Sequence, residues 1–344
     1  MKPILISGIQ PTGKLHLGNY LGALKNFVEL QNSGKYSCYF FIADFHALTE
    51  NPEAKDLSAN IINLTADFLA AGLDPKKSTI FQQSQIQPLQ ELKWILSTLT
   101  PVSELMRMTA FKEKVLQPLK PSERKKITKD KLNEIIEKSN FGLAEYPILM
   151  AADILLYDAE FVPVGKDQLQ HLELTRTLAR KFNKKFGKTF IEPKPLLTEA
   201  SRIMSLDDPA KKMSKSQPAG CLFLDDSPKI IREKLARAVT DSGREIKYDL
   251  KNKPAISNLL TIYSTLSNKP IKTIEEKYSS KGYAEFKKNL AQVIIAALKP
   301  FQKKKRELEA KSYKLKAIIE FGSQKAQKQA QIKIQEVKEK IGLI

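Results

Sequence analysis

Short apolar runs recur through the first half of the chain, and each is followed by a segment that can form a helix. Residues 4–6, 37–43 and 78–81 are such runs, and apolar residues stand at helical spacing between Leu57 and Phe68. A short apolar run suits a strand buried on both faces, and alternation with helices indicates parallel strands. We therefore predict an α/β fold with a doubly wound, Rossmann-like parallel sheet.

The composition changes after about residue 205, where helical patterns replace the strand signals. Ser227-Pro228 opens an amphipathic helix, residues 255–266 look helical, and an apolar stripe from Phe286 is expected to end at Pro300. From residue 301 onward, 12 Lys and Arg stand against 5 Asp and Glu, and 12 − 5 gives a net charge of +7. We predict an α/β domain over 1–205 and a second domain over 206–344, which is a loop followed by helices with a basic end.

Residues 117–140 interrupt the first pattern. They contain two prolines, a basic run at 124–126 and little apolar material. We predict an exposed insertion with a short helix over 129–138.

The charge and the cysteines narrow the class of protein. The chain has 344 residues, with 57 Lys and Arg against 38 Asp and Glu, which gives a net charge of +19. This favours a polyanionic partner, although a lysine-rich proteome would give the same balance. Cys38 and Cys221 form no Cys-x-x-Cys pair, so no zinc or iron–sulfur site is expected. We also expect a cytoplasmic protein with no signal peptide or membrane helix.

The segment Lys14-Leu15-His16-Leu17-Gly18-Asn19 follows a glycine-containing turn after the first predicted strand. Glycine lets the backbone approach a ligand closely, and a helix N-terminus offers free N–H groups to an anion. His16 can donate to a phosphate oxygen in either tautomer, and more strongly if protonated. The alternative is a loop that merely turns the chain.

The segment Lys212-Met213-Ser214-Lys215-Ser216 is flanked by Pro209 and Pro218 and is predicted to be a loop. Two lysines three residues apart can reach one polyphosphate, where their charge stabilises charge that develops during reaction. Met213 can lie against a flat base. An ordinary basic surface loop is the alternative, but the two segments together predict a chain that handles ATP.

Two further clusters complete a candidate site. Residues 162–168 end a predicted strand, where Asp167 could hold a ribose or cap a helix, and Gln168 could reach a polar group of a substrate. Asp153 is the one acid in the apolar run 146–156. Since a buried carboxylate needs a partner, this run suits an aromatic ligand with an N–H or O–H, unless Asp153 faces water.

Together these residues resemble the class I aminoacyl-tRNA synthetases, and most closely the bacterial tryptophanyl-tRNA synthetases. The "HIGH" signature corresponds to residues 16–19, with Asn19 in the fourth position as is usual for this branch, and "KMSKS" is intact at 212–216. The chain is also similar to the family at 7–10, 150–156, 165–168 and 256–267. The insertion at 117–140 is longer than expected in compact members.

The resemblance implies a two-step reaction. L-tryptophan attacks the α-phosphate of Mg-ATP, giving tryptophanyl-adenylate and pyrophosphate, and tryptophan then passes to the 3′-terminal adenosine of tRNA(Trp). A homodimer is implied, and Mg²⁺ is expected only with ATP. Such a reaction needs positioning and charge stabilisation rather than a covalent nucleophile.

Carried over position by position, the resemblance gives two sets of site residues. Lys212 and Lys215 would stabilise the pyrophosphate, with His16 and Gln10 as further catalytic residues. Residues 165–167 would hold the ribose, Ile203 and Met213 would contact adenine, and Asp153 would accept the indole N–H. The ATP set is Gln10, Pro11, Thr12, His16, Gly18, Asn19, Gly165, Lys166, Asp167, Ile203, Lys212, Met213, Ser214, Lys215 and Ser216. The tryptophan set is Gln10, His46, Tyr146, Met150, Asp153, Val162 and Gln168.

Three alternatives stay open at this point. Tyrosyl-tRNA synthetase shares the fold but would need partners for a phenol, usually a Tyr/Asp pair, and an unmade hydrogen bond discriminates strongly between such substrates. A basic RNA-binding protein could keep the fold without activity, against which the intact lysines of 212–216 argue. Other adenylyltransferases with a His-x-Gly signature lack the second motif and the helical second half.

Overall fold

The computed structural model describes residues 2–116, 119, 123, 127–197, 203–215 and 217–344, apart from the side chains of 110 and 112–114. Its strands form one parallel sheet in the order β3-β2-β1-β4-β5. The strands are β1 (Ile4–Ile9), β2 (Ser37–Ile42), β3 (Ser78–Gln82), β4 (Phe161–Val164) and β5 (Lys194–Leu197). The predicted doubly wound α/β fold is confirmed.

Helices flank the sheet, and they also make up nearly all of the regular structure that follows β5 in the sequence. Tyr20–Leu24 is a π-helical turn between the first two α-helices. The α-helices are α1 (Leu17–Asn19), α2 (Lys25–Asn32), α3 (Asp44–Ala47), α4 (Ala54–Ala71), α5 (Pro88–Ser97), α6 (Val102–Met106), α7 (Thr109–Leu116), α8 (Lys129–Lys138), α9 (Gly142–Leu155), α10 (Leu169–Phe186), α11 (Pro228–Arg237), α12 (Pro254–Ser267), α13 (Ile271–Lys277), α14 (Tyr283–Glu309) and α15 (Ser312–Ile341).

Both faces of the sheet are buried, as the continuous apolar runs predicted. Successive side chains of a strand point to opposite faces, so Leu5 and Ile6 enter different apolar clusters, as do Phe40 and Phe41. The Leu5 cluster continues into the C-terminal helices, for example at Leu290. The sheet is therefore the layer that holds the two apolar cores together.

The last helix, α15, covers the edge of the sheet at β3. A Cβ atom on Gly322 would lie 1.8 Å from the carbonyl oxygen of Ile80, so only glycine allows this approach. The Oγ atom of Ser323 accepts a hydrogen bond from the backbone N–H of Gln82 at 3.2 Å. An open strand edge is a template for unwanted pairing, and α15 protects this one. Because α15 packs on the α/β half, the domain division near residue 205 stays a prediction.

Some local predictions were wrong and others are confirmed. Pro300 lies inside α14 instead of ending it, since proline removes one backbone donor but the packed apolar face of this helix continues past it. The predicted helices at 129–138 and after Ser227 are confirmed. Of the insertion, residues 117–118, 120–122 and 124–126, including the basic run, lie outside the described residues. In the part of the chain that is described, no helix has the length and apolarity needed to cross a membrane.

Candidate active site

The strand order creates a crevice between β1 and β4. The chain runs from β1 to β2 and β3 on one side of β1 and then crosses to β4 on its other side, and ligands of open α/β sheets bind outside the carboxyl ends of strands at such a switch point. A cavity of about 340 Å³ opens there, lined by Ser7 and Gly8 in the second half of β1 and by Gly165 after β4. Its volume falls within the range of small-molecule sites.

A larger groove of about 770 Å³ lies between α4 and α15, away from the switch point. We take the smaller cavity as the candidate site because polar side chains converge in it. All of the residues in the predicted tryptophan set line it: Gln10, His46, Tyr146, Met150, Asp153, Val162 and Gln168. The sequence reasoning did not find the apolar walls from Phe41, Ala43, Ile154 and Val164.

Helix α9 carries three of these residues on one face. Tyr146, Met150 and Asp153 follow each other at intervals of four and three, which places them one above another along a helix. The hydroxyl of Tyr146 lies 2.8 Å from Nε2 of His171 on α10. Tyr146 is therefore held at the cavity by a hydrogen bond between α9 and α10.

Asp153 is buried, with only 4% of its surface exposed, so the alternative in which it faces water is wrong. Its Oδ2 atom lies 3.0 Å from Nε2 of His46. The Nε2 atom of Gln83 donates to Oδ1 at 2.9 Å and to Oδ2 at 2.8 Å. Burial raises the pKa of the Asp153 carboxyl, and the hydrogen bonds from His46 and Gln83 oppose that rise. The buried acid of the apolar run thus has the partners that burial requires.

His16 is the N-cap of α1. Its Nδ1 atom accepts a hydrogen bond from the backbone N–H of Asn19 at 3.2 Å, and Oδ1 of Asn19 accepts one from the backbone N–H of His16 at 3.2 Å. This reciprocal pair is a capping box. A Cβ atom on Gly18 would lie 3.0 Å from the His16 ring and 3.7 Å from Cβ of Ile203. The first signature therefore packs against the segment that leads into the second.

The capping bond also decides the protonation of His16. Because Nδ1 accepts a hydrogen bond, the proton of the neutral ring is on Nε2. Burial, together with the charges of Lys215 and Lys212, lowers the pKa of His16 to about 4. The expectation of a donor in either tautomer, or of a protonated ring, is corrected: at neutral pH His16 donates from Nε2 alone.

The second signature lies in a loop that is anchored at its start. The backbone N–H of Met213 donates to the carbonyl of Ile203 at 3.1 Å, and both side chains are 2% exposed. Asn258 on α12 bonds both the N–H and the carbonyl of Met204, at 2.9 and 3.0 Å. Lys212 is exposed and Ser214 is half-buried, whereas Ser216 lies outside the described residues.

Lys215 connects the two signatures. Its Nζ atom donates to Oγ1 of Thr12 at 3.3 Å and to the carbonyl of Gly13 at 3.2 Å. Burial lowers the pKa of Lys215. Thr12 is half-buried, and Pro11, which precedes it in the sequence, is buried. The alternative of an ordinary basic surface loop at 212–216 does not hold for Lys215, because this lysine points into the turn after β1.

The backbone that leaves the second signature pairs with the first. The N–H of Leu17 donates to the carbonyl of Leu222 at 2.8 Å, and the N–H of Leu224 donates to that of Leu15 at 3.0 Å. His16 thus faces Phe223 across an antiparallel bridge. No local pattern in the sequence indicates this contact, because the partners are more than 200 residues apart.

The third cluster lies at the open side of the cavity. Oδ1 of Asp167 stands 2.5 Å from where a Cβ of Gly165 would be, so Asp167 folds back over this glycine. Asp167 makes no capping hydrogen bond at the start of the turn Lys166–Gln168 or of α10, so the helix-cap alternative is wrong. Lys166 and Asp167 are both exposed and available to a ligand.

Comparison with known proteins fits this arrangement. A family model described as tRNA synthetases class I (W and Y) matches residues 1–299. The tryptophan–tRNA ligase of Bacillus subtilis (strain 168) is 46% identical over 346 residues, which cover 100% of this chain and 98% of that protein.

Solved structures agree with the family match. Tryptophanyl-tRNA synthetase from Mycoplasma pneumoniae superposes with a TM-score of 0.85 at 33% identity, covering 99% of this chain and 98% of the other. The enzyme from Campylobacter jejuni, complexed with ADP and tryptophan, gives a TM-score of 0.80 at 36% identity, covering 98% and 99%. The resemblance inferred from the two signatures is confirmed, and the chain belongs to the class I tRNA synthetases, in the family of the tryptophan–tRNA ligases.

Proposed function

We propose that the cavity between β1 and β4 binds L-tryptophan, activates it with Mg-ATP, and passes it to the 3′-terminal adenosine of tRNA(Trp). The observation that carries this proposal is the buried Asp153 carboxylate at the wall of a cavity that Gln10, four residues before the first signature segment, also lines. A structural relative from Campylobacter jejuni was crystallised with ADP and tryptophan.

The hydrogen bonds of Asp153 leave one acceptor position for a ligand. A carboxylate offers about four lone-pair positions. His46 and Gln83 use two on Oδ2, and Gln83 uses one on Oδ1. The indole N–H can only donate, and Oδ1 keeps the position that can receive it. This assigns indole recognition to Oδ1 of Asp153.

The same wall suits tyrosine poorly. A phenol needs a donor and an acceptor arranged for an O–H group, such as a Tyr/Asp pair. The hydroxyl of Tyr146 instead meets Nε2 of His171, and Asp153 is held by His46. A site that accepts one N–H from its ligand rejects ligands that leave the buried polar groups of the site without a hydrogen-bond partner.

Adenylation needs charge stabilisation at the departing phosphates. An oxygen of the tryptophan carboxylate bonds to the α-phosphorus, and the bond to the bridging oxygen breaks, so its electron pair leaves with pyrophosphate. Lys215 and Lys212 stabilise that charge, while His16 donates from Nε2 to a phosphate oxygen. Lys215 is already placed at the turn that holds Thr12, whereas the exposed Lys212 reaches the phosphates when ATP is bound.

The remaining assignments follow the resemblance to the family. Gln10 lines the cavity and binds the amino-acid backbone together with Gln168. Asp167 and Lys166 are exposed beside Gly165 and hold the ribose. The ATP set is completed around adenine and the phosphates by Pro11, Gly18, Asn19, Ile203, Met213, Ser214 and Ser216.

Magnesium enters as part of the nucleotide substrate. Among the described residues, no group of three or more His, Cys, Asp or Glu side chains could hold a metal ion. Mg²⁺ commonly binds through substrate phosphates and water and uses few protein ligands. Mg²⁺ would therefore be held mainly by the ATP phosphates, where it would share the neutralisation of charge with Lys212 and Lys215.

The second half of the chain provides the surface for tRNA. It contains the basic end of +7, and phosphate contacts from lysine and arginine supply much of the affinity for nucleic acid. We assign anticodon binding to the helical part of residues 206–344. Since ATP and tRNA are its substrates and both cysteines are free, we place the protein in the cytoplasm.

A homodimer is the proposed assembly. Trp94, Val102 and Phe141 are 69%, 73% and 72% exposed. Trp94 is on α5, which the ion pair of Lys93 and Glu145 (3.1 Å) joins to α9; Val102 begins α6, and Phe141 precedes α9. Large exposed apolar side chains of this kind mark interfaces. Sedimentation should find a dimer that the change Trp94→Glu converts to monomers, and a monomeric wild type would contradict the assembly.

Amino-acid-dependent exchange of pyrophosphate into ATP tests the function. Each of the twenty amino acids is supplied in turn to the purified full chain with Mg-ATP. Tryptophan alone should support exchange. Exchange with tyrosine at a comparable rate would favour the tyrosyl alternative, and no exchange with any amino acid would indicate a fold kept without activity.

A further inference from the structure

Gln83 occupies a position that no sequence pattern distinguished. It begins the short turn Gln83–Gln85 after β3 and is completely buried, with 0% of its surface exposed. Its Oε1 atom accepts hydrogen bonds from the backbone N–H groups of Phe45 at 3.1 Å and His46 at 3.4 Å. Its Nε2 atom donates to both carboxylate oxygens of Asp153. One amide thus connects three elements: the end of β3, the start of α3 and the last turn of α9.

The orientation of this amide is determined by its neighbours. If the oxygen and nitrogen exchanged places, the NH₂ group would face two N–H donors and the oxygen would face a carboxylate. Every contact would then be repulsive. The observed orientation therefore follows from the chemistry of the partners, and it requires that Asp153 accept from Gln83.

The contacts of Gln83 control both polar groups at this wall of the cavity. The two bonds to Asp153 fix the plane of the carboxylate, which leaves the free position of Oδ1 pointing in one direction. The two bonds to α3 fix the backbone from which His46 reaches Oδ2 of Asp153 at 3.0 Å. Hydrogen bonds to a charged group in a buried site are the stronger kind and hold geometry well.

We propose that Gln83 is the positioning residue that sets the selectivity for an indole N–H, acting through Asp153 and His46. This role rests on the proposed function, because it assumes that Asp153 accepts the N–H of tryptophan. In this role Gln83 orients the carboxylate of Asp153, and that carboxylate contacts the ligand. Its loss should therefore weaken discrimination between N–H and non-N–H ligands more than it weakens the chemical step.

A substrate analogue separates orientation of Asp153 from general damage. Alanine carrying a benzothiophene in place of indole has nearly the same shape but presents sulfur where tryptophan presents N–H. A merely structural defect lowers exchange with both substrates equally. Loss of the oriented acceptor lowers the preference for tryptophan over the analogue.

The experiment compares four full-length proteins in ATP–pyrophosphate exchange: wild type, Asp153→Asn, Gln83→Met and the control Gln85→Met. Gln85 stands two residues away in the same turn and is exposed. For Gln83→Met we expect the tryptophan preference in kcat/KM to fall about tenfold, mainly through KM, with kcat within about threefold of wild type. Gln85→Met should keep the wild-type preference.

The outcomes distinguish the two claims. An unchanged preference in Gln83→Met, or an equal loss for both substrates, overturns the role of Gln83 while leaving Asp153 as the acceptor. An unchanged preference in Asp153→Asn overturns the proposed function of that residue, whatever Gln83 does. If Gln83→Met does not fold, Gln83→Leu is the second variant, because its apolar side chain also removes the donor to Asp153. It should lose the same preference, and wild-type selectivity in it would refute the proposal.

Discussion

The Nζ atom of Lys215 lies 3.3 Å from Oγ1 of Thr12, although 203 residues separate them in the sequence. This contact joins the loop of the second signature to the turn that precedes the first. The backbone pairing of Leu17 with Leu222 reinforces it from the other side of the loop. The two signatures therefore lie together in the fold rather than as two separate basic segments.

Replacing Lys215 by alanine should slow ATP–pyrophosphate exchange about 100-fold, with the KM for tryptophan within about threefold of wild type. In the proposed function the lysine charge acts on the departing pyrophosphate, and removal of one such group costs this much in comparable sites. Lys211→Ala is the matched control, because Lys211 is exposed and pairs with Asp208. A parallel loss of tryptophan binding in Lys215→Ala would indicate a structural role instead.

His16 should make stability depend on pH in a defined window. Its pKa falls from 6.5 to about 4 in the folded chain, so between these values the unfolded state binds a proton that the native state does not. Stability from this group is complete above pH 6.5 and is lost as the pH falls toward 4. Relative to His16→Asn, which keeps an acceptor for the N–H of Asn19, the wild-type free energy of unfolding should drop by about 3 kcal/mol across the window. Denaturant titrations at several pH values measure this, and a constant difference between the two proteins would contradict it.

Lys305 is a buried charge that stabilises the joint between the two halves. Its Nζ atom lies 2.7 Å from Oδ1 of Asp67 on α4 and 2.8 Å from Oδ2 of Asp225. Lys305→Met leaves Asp67 without its cation and should cost about 3 kcal/mol of unfolding free energy at pH 8. The same change at its exposed neighbour, Lys304→Met, should lower the free energy of unfolding only slightly.

The deficit of Lys305→Met should shrink at low pH. Burial raises the pKa of Asp67 from 3.8 to about 6, so the stability gained by protonating it is present below 3.8 and is lost as the pH rises through 6. At pH 5 the carboxyl is largely uncharged and needs the lysine less. Urea unfolding at pH 5 and pH 8 tests this, and an equal deficit at both values would mean that Asp67 is not the group left unpaired.

Reversing the exposed charges of Lys311, Lys314 and Lys316 should weaken tRNA binding while leaving ATP–pyrophosphate exchange unchanged. For each phosphate contact that is lost, the slope of log K against log salt concentration should become less steep by about one. Reversal of Lys184, Lys185 and Lys188, another exposed basic group, is the matched control. If only the control reversal weakens tRNA binding, the basic end of the chain is not the tRNA surface.

The sequence allowed prediction of those features that depend on local periodicity. The alternation of apolar runs with helices predicted the parallel sheet, and the Ser227-Pro228 start signal predicted the helix that begins there. Both follow from the geometry of a single element. The roles of the individual site residues stay predictions until the variants are measured.

What the sequence could not supply depends on contacts between distant segments. Gln83 stands among other polar residues after β3, and nothing local distinguishes it from exposed Gln85. Its importance comes from α3 and α9, which only the fold brings to it. Pro300 was wrongly expected to end a helix for a related reason, since packing of α14 outweighs one missing backbone hydrogen bond.

The choice of tryptophan rests on Asp153, and Asp153→Asn tests it most directly. The measurement is kcat/KM for tryptophan and for tyrosine in ATP–pyrophosphate exchange, with folding checked by thermal unfolding. Loss of the charged acceptor should reduce kcat/KM for tryptophan by about 10- to 100-fold, with a much smaller change for tyrosine. An unaltered ratio of tryptophan to tyrosine in a folded Asp153→Asn protein would contradict the assignment of indole recognition to this carboxylate.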